Sequence, residues 1–265
     1  MRSAFASQLQ RLDLAATESA ARLLGHSAVF DALIRYLAQF DTFKIFPLVA
    51  LLCAVASQQR DRPQAVRVLF DGIAAGLLAL VVARLVQNLG PARFRPAFLP
   101  GFDGPLPFVW MIPSDWSSFP SDTAALATAL ALVTLRRSRP LGLFALIWAL
   151  LVSMARLISA FHYPSDLLAG AAIGALVAIV ISSSFVTSRE ARLAERALAT
   201  APTLTCLFLV GMLFQLGTMF DDVRHGAGGL LRHIGVLKER PAAPIAAVVK
   251  NEQSPSADSS DEDHR

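Results

Sequence analysis

Residues 117–166 read SSFPSDTAALATALALVTLRRSRPLGLFALIWALLVSMARLISAFHYPSD. Two uncharged runs, 123–135 and 140–155, are separated only by Arg136-Arg137-Ser138-Arg139, while both outer ends of the stretch are polar. With its flanks each run approaches the roughly 20 residues that a helix needs to cross a bilayer. So short a link turns the chain straight back, which predicts an antiparallel helical hairpin in the membrane. The start of its first helix and the end of its second therefore share one face of the bilayer.

Working outward, the same pattern repeats. The chain has 265 residues, of which 54% are hydrophobic and 17% charged. Its mean hydropathy is +0.52. This is too apolar for an ordinary soluble domain and fits an all-α, polytopic membrane helix bundle. About six spans are expected, near 43–59, 66–87, 119–135, 140–157, 166–187 and 199–220. Gly72 and Gly76, like Gly170 and Gly174, are spaced four apart, which predicts close helix packing. No signal peptide of the usual basic, apolar and small-residue form is read at the start. Cys53 and Cys206 both fall inside expected spans, which argues against a disulfide framework or a metal cluster. The net charge of +4 is spread over loops, so no nucleic-acid partner is expected.

The ends differ in kind. Residues 1–40 alternate apolar patches with Arg11, Asp13, Glu18, Arg22, Asp31 and Arg35, the pattern of amphipathic helices at or partly entering the membrane surface. Residues 41–187 form the expected membrane core, 188–236 add an amphipathic and a membrane segment, and 237–265, rich in Pro, Ala, Ser and acidic residues, are expected to be disordered.

Hairpin connectivity brings three polar segments to one face: NLGPARFRP at 88–96, FPSDT at 119–123 and ARLISAFHYPSD at 155–166. The opposite face collects Arg60, Arg62, Arg67, Arg136, Arg137, Arg139, Arg189, Arg192 and Arg196, against Lys44, Arg84, Arg93, Arg95 and Arg156 on the motif face. By the positive-inside rule the motif face looks outward, toward the periplasm if the membrane is a Gram-negative inner membrane. The basic residues beyond span six weigh against this orientation unless that segment is re-entrant. Between the first two motifs, 97–117 carries Trp110, Trp116 and several prolines and is expected to form an interfacial cover.

The motifs carry the residues of an anion site. At the start of span three, Ser118 is expected to cap, Pro120 to occupy the first turn, and the free N–H groups near Ser121, Asp122 and Thr123 to point at the mouth. Arg95 and Arg156 reaching that mouth would grip a phosphate. His162, with Asp166 four residues later, matches a nucleophilic histidine whose tautomer a carboxylate fixes. Taken singly each is bland: an interfacial histidine beside a cap, or a snorkelling arginine. Their convergence is what suggests a site.

Together these blocks resemble the type 2 phosphatidic acid phosphatase superfamily of membrane lipid phosphatases, whose pattern is Lys-x6-Arg-Pro, Pro-Ser-Gly-His and Ser-Arg-x5-His-x3-Asp. Here the blocks read Asn88-x6-Arg95-Pro96, Pro120-Ser121-Asp122-Thr123 and Ala155-Arg156-x5-His162-x3-Asp166. The SFPSD form is similar to the bacterial undecaprenyl-pyrophosphatase subgroup. The resemblance covers roughly residues 40–187. It implies His162 as nucleophile, Asp166 as its orienting carboxylate, Arg95, Ser121 and Arg156 as phosphate ligands, and a reaction through a phosphohistidine without metal or other cofactor. Asn88, Asp122 and Thr123 would complete the substrate-binding set.

Two departures stand out. Asn88 replaces the family lysine and removes a charge, and Thr123 replaces the histidine that protonates the leaving group. A threonine hydroxyl is no general acid near neutral pH, and losing that transfer costs about 10²–10⁴ in rate. A protonated Asp115 or Asp122 could serve instead, or a pyrophosphate could leave unaided. The expected function is hydrolysis of a membrane lipid phosphate or pyrophosphate, polyprenyl pyrophosphate foremost. Phosphoryl transfer to another acceptor and noncatalytic lipid-phosphate binding are the alternatives, ahead of a scaffold or transporter. A homo-oligomer or an envelope-biosynthesis partner is compatible with either.

Overall fold

The computed structural model describes residues 2–106 and 117–220. Residues 107–116 of the expected interfacial cover, with Trp110, Asp115 and Trp116, lie outside the described residues, as does the whole of the 237–265 tail. Among the described residues all regular structure is helical. In chain order the helices are α1 (Arg2–Ala21), α2 (Ala28–Gln39), α3 (Asp41–Lys44), α4 (Phe46–Ser57), α5 (Arg62–Leu89), α6 (Asp122–Arg137), α7 (Arg139–Ile158), α8 (Pro164–Ile181), α9 (Ser184–Thr200) and α10 (Pro202–Gly217). A short 3-10 turn, Pro96–Phe98, lies in the loop after α5.

Local chemistry sets the boundaries. A proline stands in the first turn of α4, α5, α7, α8 and α10, where its missing N–H costs nothing and its fixed φ favours helix. Asp61 caps α5 by accepting from the Gln64 N–H at 2.8 Å. Ser138 is at once the C-cap of α6 and the N-cap of α7, so the expected hairpin closes within a single residue. A Cβ on Gly142 would lie 2.0 Å from the Leu135 Cα, which shows how closely α7 turns against α6.

The six expected spans correspond to α4, α5, α6, α7, α8 and α10. Three of them, α5, α7 and α8, have both the length and the apolarity to cross a membrane, and they make this a membrane protein. The first expected span is broken at Ile45, so Lys44 lies on α3, ahead of α4. In the third, Ser118 is not the cap and Pro120 is not in the first turn. Ser121 caps α6, accepting from the Ala124 N–H at 3.3 Å, and the helix begins at Asp122. The reason is that Ser118 is tied elsewhere, its N–H donating to the Arg93 carbonyl at 2.9 Å.

α6 is the axle of the bundle. Its alanines 124, 125, 127, 129 and 131 are all buried, and α5, α7 and α8 pack around it. Lipid-facing side chains lie on the outer helices: Leu78, Val81 and Leu85 on α5, Leu143, Ile147 and Leu150 on α7, Leu168, Leu176 and Ile179 on α8, and Leu204, Leu207 and Val210 on α10. The paired glycines set the closest approaches. A Cβ on Gly170 would sit 2.2 Å from the Ser121 carbonyl oxygen, and one on Gly174 2.3 Å from that of Ala125, so α8 lies directly on the backbone of α6. Gly72 packs under Leu52, and Gly76 under Leu126 and Leu216. α10 packs against α4, α5 and α9, and beyond its end Met219 contacts Thr123 at the mouth of α6.

Candidate active site

The site lies where α7 ends, α8 begins and α6 opens. α7 closes with the Phe161 N–H donating to the Arg156 carbonyl and the Ala160 N–H to that of Leu157, both at 3.0 Å. This is a Schellman closure, and it demands a left-handed residue. Ala160 supplies it at φ 54°, a conformation that glycine adopts more readily and that costs an alanine about 1 kcal/mol or more. The sharp turn points Arg156 and His162 at each other.

His162 is fully buried, at 0% exposure. Its Nδ1 lies 2.8 Å from the Ser118 carbonyl oxygen, and its Nε2 lies 2.8 Å from Arg156 Nη2 and 3.3 Å from Arg95 Nη1. A carbonyl only accepts and a guanidinium only donates, so Nδ1 carries the proton and the Nε2 lone pair faces the two arginines. Burial, then the charge of Arg156, lowers its pKa to about 4, which keeps the ring neutral at neutral pH. A neutral imidazole whose unprotonated Nε2 accepts from two guanidiniums has the chemistry of a nucleophile toward phosphorus once an anion draws those guanidiniums away.

The expected hydrogen bond from His162 to Asp166 is not made. The Nδ1–Oδ2 separation is 3.7 Å because Nδ1 is spent on the nearer Ser118 carbonyl. Asp166 acts through space and as a scaffold. Its Oδ2 accepts from the Tyr163 N–H at 3.0 Å, closing the first turn of α8, and its Oδ1 accepts from Arg93 at 2.6 Å. Arg93 also stacks over the Tyr163 ring and pairs with Asp13 of α1 at 2.7 Å. Asp13 in turn accepts from the Ser165 N–H at 3.1 Å. A partly buried network thus runs from α1 through Arg93 to Asp166, beside the histidine.

Arg95 and Arg156, at 5% and 6% exposure, are held by backbone carbonyls as well as by the histidine. Arg95 donates to the Phe161 carbonyl at 3.0 Å and Arg156 to that of Ala38 at 2.8 Å. Burial, then Arg156, pulls Arg95 down to about 9, still protonated at neutral pH. Ser121 is buried beside them, its N–H donating to the Asp166 carbonyl at 3.0 Å. Asp122 is ion-paired with Arg84 and accepts from the Thr123 N–H at 2.7 Å. Thr123 is buried as well, its hydroxyl 3.4 Å from Asp122 and 3.8 Å from the Met219 sulfur. Asn88 is the member not drawn inward. It is exposed on the last turn of α5, whereas its neighbour Gln87 is buried and donates to the Pro120 carbonyl at 2.7 Å.

Sequence puts Lys44, Arg84 and Arg93 on the motif face but assigns neither them, nor Asp13, nor the Ser118 carbonyl a place in the site. For Arg84 a signal existed, since it lies one helical turn before Asn88 and so shares its end of α5. Arg93 stands two residues before Arg95, a separation that in an extended loop places both on one side. Asp13 has no such signal, being brought in from 152 positions before its partner Ser165.

Fold and site together define a helical membrane protein with a buried histidine flanked by two arginines. Residues 64–190 match the family described as the PAP2 superfamily. Its members are phosphatases of phosphate esters, commonly lipid phosphates. No curated protein matches the chain. The matched segment holds all three motifs, whereas Asp13, Lys44 and the Ala38 carbonyl come from outside it.

Proposed function

We propose that the protein hydrolyses a membrane lipid phosphate or pyrophosphate, polyprenyl pyrophosphate foremost, through a phosphohistidine on His162. The observation that carries this reading is the state of His162, with Nδ1–H committed to a carbonyl and the Nε2 lone pair held between Arg95 and Arg156. A protein that only binds lipid phosphate needs the arginines but has no use for a tautomer-fixed, neutral imidazole. On substrate entry the two guanidiniums exchange the Nε2 lone pair for phosphoryl oxygens, which leaves the lone pair in line with phosphorus. Nε2 forms the N–P bond, the bond to the leaving oxygen breaks, and water then cleaves the phosphohistidine.

The localisation that accompanies this reading is a multi-pass inner membrane protein with its site on the exterior face. It is supported by the weight of arginines at the other end of the bundle. Purified protein offered undecaprenyl pyrophosphate, undecaprenyl phosphate and phosphatidic acid in the absence of metal should release phosphate, and His162→Ala should not. Equal inertness of both proteins, with lipid still bound, favours the binding protein. Release that requires an added acceptor alcohol identifies a transferase working through the same residues.

A further inference from the structure

On a phosphate monoester the proposed reaction needs a proton for the leaving oxygen, and Thr123 and Asp122 are poor sources: one is a hydroxyl, the other is ion-paired with Arg84. Asp115 lies outside the described residues; among the described residues and outside the three motifs, Lys44 is an acidic hydrogen carrier enclosed at the same end of the bundle. Lys44 is 6% exposed, an expensive place for an ammonium. Its Nζ is 2.5 Å from Asp41 Oδ1. The charged groups facing it are Asp41 from its own turn, Arg156 from α7 and Asp122 from α6. α4 carries no charge, and Arg35 of α2 is engaged over the Tyr36 ring.

The backbone around Lys44 is fastened to the site. The Trp148 indole N–H of α7 donates to the carbonyls of Phe43 and Lys44, each at 3.2 Å. Arg156, which touches His162 with one Nη, grips the Ala38 carbonyl with the other. The turn bearing Lys44 is thereby indexed to the nucleophile through α7.

Resting on the hydrolase reading above, we propose that Lys44 is a catalytic residue, the proton donor to the leaving oxygen. As His162 Nε2 bonds to phosphorus, the P–O electron pair stays on the leaving oxygen, which takes a proton from Nζ. In the second step the neutral amine takes a proton from the attacking water, the N–P bond breaks, and inorganic phosphate departs. The net reaction is ester plus water to alcohol plus phosphate, with Lys44 and His162 restored. Asp41 holds the ammonium in place between turnovers. The pKa of Lys44 fits the task. Burial, then Arg156, lowers it to about 8 against the opposing pull of Asp41 and Asp122, so it is charged at neutral pH and can be discharged.

The bland alternative is an i,i+3 ion pair that only staples α3. Leaving-group dependence separates the two. Full-length protein in detergent, without metal, would be given dodecyl phosphate, whose alkoxide needs a proton, and p-nitrophenyl phosphate, whose phenolate does not. Lys44→Met and Lys44→Arg should each lose about 10²–10⁴ in kcat/KM on the alkyl ester and less than about tenfold on the aryl ester. The wild-type alkaline limb near pH 8, where the donor is lost, should be absent from the residual rate of Lys44→Arg. Equal losses on both esters, or a Lys44→Arg protein that keeps the wild-type rate on dodecyl phosphate, would overturn the proposal. His162→Ala should abolish both activities, so an active wild type with an inert His162→Ala keeps the hydrolase reading whatever the Lys44 variants do. A wild type that releases phosphate from undecaprenyl pyrophosphate but is inert on both esters overturns the proposal alone, and one inert on all three overturns the reading with it.

Discussion

Gly170→Ala is the substitution by which the coupling of α8 to the mouth of α6 is best examined. The new Cβ would fall 2.2 Å from the Ser121 carbonyl oxygen and 3.1 Å from both the Ser121 carbonyl carbon and the Ala124 Cβ. Backbone cannot swing aside as a side chain does, so the two helices must part by about 1 Å to restore ordinary contact. Overpacking of this kind costs about 1–3 kcal/mol. The displacement also pulls on the 3.0 Å bond from the Ser121 N–H to the Asp166 carbonyl, which keeps the motif at the start of α6 in register with the start of α8. A misplacement of about 1 Å at a reacting centre costs about 10²-fold in rate. The expected outcome is a lower melting temperature in detergent and a fall in kcat of that order in metal-free phosphate release. Gly211→Ala is the control, because a Cβ there meets nothing within 4 Å. It should leave both quantities near wild type. A Gly170→Ala protein with wild-type melting and turnover would refute the claim that this contact sets the position of the α6 mouth.

Three further outcomes are expected. Asp13→Ala removes one carboxylate from a buried network and should cost about 3–5 kcal/mol, whereas Asp103→Ala, whose partner Arg22 is exposed, should cost less than about 1 kcal/mol by chemical denaturation. Because the pKa of folded His162 is depressed to about 4 while that of the unfolded chain lies near 6.5, the unfolded state binds the extra proton. Stability should therefore fall as pH drops from about 6.5 to about 4, and this fall should be missing in His162→Gln. Thr123→His should raise turnover of phosphate monoesters more than that of a pyrophosphate, whose leaving group is already the better one; equal gains would mean that the introduced imidazole does not act on the leaving oxygen.

What the sequence made legible was the part governed by short-range constraint. The RRSR link forced the α6–α7 hairpin, and that hairpin alone placed Arg95, Arg156, Ser121 and His162 at one end of the bundle. The glycines at 170 and 174 announced a close helix contact, and the structure puts α6 backbone against both. The start of α6 was misread because Ser118 and Ser121 are equally good caps in isolation. Only the tertiary bond from Ser118 to Arg93 decides between them. Asn88 was read inward from its motif position, but the phase of α5 turns Gln87 to the interior and Asn88 out. Asp13, Lys44 and Arg84 read as charges and not as members of the site: Asp13 and Arg84 acquire their partners from segments distant in the chain, and Lys44, though paired with Asp41 three residues away, is buried only by the tertiary fold.

The carbonyl that holds His162 has a consequence for how this protein can change. In the expected arrangement a carboxylate would set the ring, and a single codon could delete it. Here the acceptor is the main chain at Ser118, present whatever residue is encoded there. A scan replacing every side chain in turn would never remove this contact directly, and would register it only through substitutions that move the 117–121 loop as a body. The chemical state of the proposed nucleophile is thus inherited with the path of the chain, and drift at position 118 leaves it intact.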